Sequence, residues 1–133
     1  MRQYLFSTIS LLGLIAVVMV AGAGCQKNYR FFEAPVSSLS VPATIDAGED
    51  LQVVLCGSLG EYTPEPTIDR IEYNVSAYLI DIKVIIKEPM GAIAVPASWP
   101  WVDTAYVKNL SSGSYEIRTL GLNGMLMTPV IVQ

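Results

Sequence analysis

Histidine is absent from this 133-residue chain, and that absence removes much chemistry at once. No Ser-His-Asp or Cys-His nucleophile system can be assembled, and no zinc site that uses imidazole. Cysteine is nearly absent too: Cys25 and Cys56 are too few for a disulfide scaffold or an all-thiolate metal site. Charge is sparse, at 15% of residues, and 8 basic against 12 acidic side chains leave a net charge of −4. No cluster of Lys and Arg is present to neutralise phosphates, so nucleic acid is not an expected partner. No stretch beyond the N-terminal segment repeats its apolar residues at the helical period. What is there is 52% apolar, too apolar for a disordered chain and enough for one modest domain.

The N-terminus carries an address. Arg2 supplies a positive start, residues 5–24 hold no charge, and residues 9–20 are nearly continuous apolar sequence. Small residues follow, Ala21-Gly22-Ala23-Gly24, and then Cys25. Positive, apolar, small is the order of a secretory signal peptide. The Ala23-Gly24-Cys25 junction resembles the lipobox of bacterial lipoproteins, in which a small pair precedes a cysteine that becomes lipid-modified and N-terminal. That resemblance implies a lipoprotein-type signal over 1–24, lipidation at Cys25, a short tether over 25–35, and a membrane partner held through the lipid. Two alternatives stay open: ordinary cleavage after Ala23, since Ala21-Gly22-Ala23 also reads as an A-x-A site, and an uncleaved anchor about 20 residues long. All three readings export the remainder. Removing 1–24 takes away one base and no acid, leaving a mildly acidic domain with little pull toward an anionic surface.

Past the tether, period-two alternation and turn signals recur at the intervals of an all-β sandwich. Strands are expected over 36–41, 51–56, 68–73, 79–87, 102–108, 114–120 and 125–132. In 51–56, Leu51, Val53 and Leu55 share a face; in 68–73, Ile71 and Tyr73 lie opposite Arg70 and Glu72. The clearest strand alternates Ile80, Ile82, Val84 and Ile86 with Asp81, Lys83, Ile85 and Lys87. Residues 57–66 and 88–100, rich in Gly and Pro, read as long loops, and Asn123-Gly124 as a hairpin turn. Seven strands without a helix imply a two-sheet antiparallel sandwich with Greek-key connections over 36–133.

Leu110-Ser111-Ser112-Gly113-Ser114-Tyr115 is similar to the leucine-x-x-glycine-x-tyrosine stretch of bacterial immunoglobulin-like and fibronectin-III-like domains, and residues 47–53 look like their turn and second strand. The resemblance implies that Leu110 packs under the inter-sheet crossover and that Gly113 takes a backbone shape other residues resist. It also implies a tyrosine corner, with the Tyr115 hydroxyl bonding back to upstream backbone. It marks architecture, and architecture alone assigns no function.

Little in the chain suggests catalysis. Glu61, Glu65 and Asp69 read as solvated loop charges, and Gly57-Ser58-Leu59-Gly60 is not a nucleophile elbow. Asp46, Glu49 and Asp50 lack the ligand spacing of a calcium loop. No enzyme activity, cofactor or metal is expected. Cys56 is expected as a lone thiol in a strand. The candidate contact surface for a protein or glycan partner is Trp99-Pro100-Trp101, with Tyr62 as a companion, because exposed tryptophans concentrate binding energy. The competing expectation is that the two rings tuck under their loop and seal the sandwich. The functional expectation is an envelope lipoprotein anchored at the outer membrane or cell surface and serving as a binding or structural module at the cell surface or in the periplasm. The alternative is an inhibitor-like regulator that presents a long loop to an enzyme.

Overall fold

The computed structural model describes residues 28–63, 66–91 and 93–133, so the signal segment and Cys25 lie outside the described residues. The described chain is all-β, with no helix among its residues. Its strands are β1 (Tyr29–Glu33), β2 (Ser38–Ser40), β3 (Thr44–Ile45), β4 (Leu51–Thr63), β5 (Thr67–Ser76), β6 (Leu79–Pro89), β7 (Ile93–Val107), β8 (Gly113–Gly121) and β9 (Gly124–Val132). They form two sheets. The smaller runs β2-β4-β7, and the larger runs β3-β9-β8-β6-β5. One edge of β6 carries β5; the other carries β8 beside Leu79–Ile82 and then β1 beside Ile85–Pro89.

Three expectations need correction. Among the described residues the strands number nine rather than seven, because Tyr29–Glu33 of the expected tether pairs with β6 and a two-residue β3 pairs with β9. The sandwich is not wholly antiparallel: β6–β8 and β3–β9 are parallel pairs. The cause of the first is the order of the β5–β6 hairpin, which sets its second strand beside β8, so both run from the same end. The two long loops are mostly strand. β4 continues to Thr63, β6 reaches Pro89, and β7 starts at Ile93 after a turn at Met90 and Gly91, whose φ is +82°. Proline is tolerated there because β7 is an edge strand, where an outward-facing nitrogen loses no ladder bond.

The alternating faces otherwise fall as their sequences imply. Ile80, Ile82, Val84 and Ile86 are buried against Leu51, Val53, Leu55, Ala105 and Val107 of the smaller sheet, with Ile117, Val130 and Val132 completing the core. Near the N-terminus the chain changes sheets: the Val36 N–H donates to the Leu120 carbonyl at 2.8 Å, and the Ser37 N–H to the Cys56 carbonyl at 2.7 Å. At the β7–β8 corner, Leu110 is buried and the Tyr115 hydroxyl donates to the Ser111 carbonyl at 3.0 Å. Glycine suits position 113 for a reason of space: a Cβ there would run into the Tyr78 ring, which meets Tyr115 edge-on at 5.4 Å.

Candidate functional site

Of the residues singled out by sequence, the two tryptophans come together on β7, Trp99 opposite Leu59 and Trp101 opposite Gly57. They do not form an exposed platform. Trp101 is 9% exposed and belongs to the core, and Trp99 is half-buried against it. Odd-numbered residues of this part of β7 point between the sheets, so Pro100 faces outward while both rings face in. The Trp101 ring lies across Gly57, where any side chain would collide with it. This explains a glycine inside a strand better than a loop does. Both indole Nε1 atoms are buried without an acceptor. Tyr62 pairs with Ala94 in the backbone register, and its side chain lies outside the described residues, as does that of Glu61.

Of the acidic candidates, Glu65 lies outside the described residues, and those whose side chains are described are engaged locally. Asp69 and Glu72 both accept hydrogen bonds from Arg70, at 2.6 and 2.7 Å. The bond to Glu72 and then that to Asp69 raise the Arg70 pKa above its already high ordinary value. Glu49 accepts from the Asp46 N–H at 3.4 Å, and Asp50 lies 4.0 Å from the Lys108 ammonium. Cys56 sits on β4 opposite Val102, half-buried.

The most ligand-like surface arises elsewhere, from unequal sheet widths. Five strands lie side by side in the larger sheet and three in the smaller. The inner face of β5 therefore overhangs the edge of β7. Ile71, Tyr73 and Val75 share that face with their register partners Val84, Ile82 and Ile80 on β6. Their partners are buried, yet Tyr73 is 41% exposed and Val75 38%. Between the two edges runs a hollow of about 360 Å³ lined by Ile71, Tyr73, Asp103, Thr104, Ala105 and Tyr106. Tyr106 is half-exposed on the outer face of the smaller sheet, and Asp103 Oδ1 is held by the Thr104 N–H at 2.7 Å.

Both walls of this groove are strand edges that pair with no further strand among the described residues. Pro96 and Pro100 blunt the first half of β7, whereas residues 101–107 keep every backbone N–H. A wider hollow of about 520 Å³ near Pro42, Ile45, Glu49 and Asp50 holds no aromatic residue and is the weaker candidate. Sequence reading missed Tyr73 and Tyr106 as a pair. Alternation assigns each its face, but no local signal tells how far the opposite sheet extends. No family model, curated protein or solved structure matches the chain.

Proposed function

We propose that this chain is an exported, lipid-anchored β-sandwich of immunoglobulin-like kind, a non-catalytic module at a bacterial envelope that holds an extended segment of a partner protein between β5 and β7. The groove carries the binding part of this reading. It joins two aromatic side chains to free strand edges, and an added strand gains main-chain hydrogen bonds from an edge while pockets select its side chains. The charge-free apolar segment and the Ala23-Gly24-Cys25 junction support the anchor. The Tyr115–Ser111 bond and the early change of sheet support the immunoglobulin-like kinship, of which the parallel β6–β8 pair makes a variant. The inhibitor alternative has less to stand on, because the segments on which it drew are β4 and β7.

A photo-crosslinking residue placed at Tyr106, with another at Leu122 as an exposed control, tests the binding part in cells. A polypeptide adduct is expected at Tyr106 and not at Leu122, and Tyr73→Ser should remove it. Equal adducts at both positions, or a glycan adduct alone, would refute the groove as a peptide site. Intact mass of the membrane fraction tests the anchor: an acylated chain beginning at Cys25 is expected, and Cys25→Ser should release the protein.

A further inference from the structure

We propose that the end of the sandwich formed by the start of β1 and the β6–β7 turn is seated in the lipid headgroup layer, so that the domain lies on the membrane rather than standing clear of it. This rests on the lipid anchor at Cys25. Only Gln26 and Lys27 separate that cysteine from Asn28. Three peptide units span at most about 11 Å. From Asn28 onward there is no slack: its carbonyl accepts the Met90 N–H at 2.8 Å, and Tyr29, Arg30 and Phe31 are paired with Pro89, Glu88 and Lys87. A headgroup layer is itself roughly 5–8 Å thick on each side of the bilayer. An acylated Cys25 in that layer brings Asn28 and Met90 to it.

The side chains at this end suit that position. Met90 is 62% exposed, Ile93 72% and Phe31 53%, with Phe32 beside them at 37%. Cations stand over the aromatic rings: Lys87 Nζ lies 4.1 Å from the Tyr29 ring centre, Arg30 5.8 Å from that of Phe32, and Arg70 5.9 Å from that of Phe31. Aromatic rings with adjoining bases and short apolar tips are the composition of a membrane–water interface. A hollow of about 140 Å³ lies among Arg30, Glu88, Pro89, Met90 and Gly91. Glu88 there is 1% exposed, ion-paired to Arg30 through one oxygen and without a partner on the other. The far end of β4, by contrast, is entered through Asp46, Glu49 and Asp50, which an anionic leaflet would repel.

The test uses the full chain in a Cys56→Ser background, purified from membranes and reconstituted into vesicles of phosphatidylethanolamine and phosphatidylglycerol. Met90→Cys, Ile93→Cys and, as a control at the far end, Ser112→Cys are each labelled with an environment-sensitive fluorophore, and acylation at Cys25 is read by intact mass on the same samples. The expected result is blue-shifted emission at Met90→Cys and Ile93→Cys, quenched by spin-labelled lipid, with water-like emission at Ser112→Cys. Water-like emission at all three positions in acylated chains would overturn the seating while leaving the anchor intact. A blue shift that lipid quenchers do not reach would mean that a second copy covers this end, and would overturn it too. A chain that carries no acyl group would remove the anchor and the seating together.

Discussion

β5 and β6 are hydrogen-bonded neighbours whose inner faces are continuous, and they meet different fates. Ile80 and Ile82 on β6 are buried; Val75 and Tyr73, directly across the ladder from them, are more than a third exposed. Both strands alternate, and both point their apolar residues the same way. What differs is the cover, which ends at β7. Alternation therefore states which face a residue takes, and the width of the opposing sheet states whether that face is dry. The strand that outruns its cover is where the groove forms.

The largest effects should fall where cover is complete. Trp101→Ala removes a core ring and should cost roughly 3–5 kcal/mol, and Ile82→Ala roughly 2–5 kcal/mol, both read by denaturant unfolding. A stability change below about 1 kcal/mol at Ile82 would break the comparison, since it would put β6 in the same uncovered state as β5. Gly57→Ala sharpens it from the other side. A methyl group pressed into the rigid indole of Trp101 should cost roughly 1–3 kcal/mol by overpacking, although the residue added is small and apolar. Tyr115→Phe deletes only the hydroxyl bond to Ser111 and should cost about 1 kcal/mol.

Much of the fold was legible because its signals are local. The faces of residues 51–56, 79–87 and 114–120 follow from side-chain alternation, and the Tyr115 corner from a six-residue pattern. The β8–β9 hairpin was legible for the same reason, but one residue late: its turn residues are Leu122 and Asn123, and Gly124, at φ +127°, already opens β9. The 57–66 and 88–100 segments were misread because Gly and Pro report a missing side chain or a missing donor, and either can be harmless in a strand. Gly57 makes room for a cross-strand indole, and Pro96 and Pro100 lie on an edge. The parallel β6–β8 pair depends on which strand of a hairpin docks, which no residue in the hairpin announces. The candidate groove was illegible for the strongest reason: Tyr73 and Tyr106 are brought together by the difference between two sheet widths.

The smallest effect is the most discriminating. Val75→Ala removes two methyl groups from the same face as Ile80 and one strand away, yet Val75 already keeps 38% of its surface in water. If cover rather than face decides the energetics, this change should alter stability by no more than about 0.5 kcal/mol, the range of an ordinary surface substitution. A loss near that of Ile82→Ala would mean that something covers β5 in solution, such as a second copy of the chain. Unfolding followed across a dilution series separates these outcomes, because cover supplied by another molecule gives a midpoint that depends on protein concentration. A small loss at every concentration leaves the inner face of β5 open, and an open apolar strand face beside a free edge is the surface an incoming segment needs.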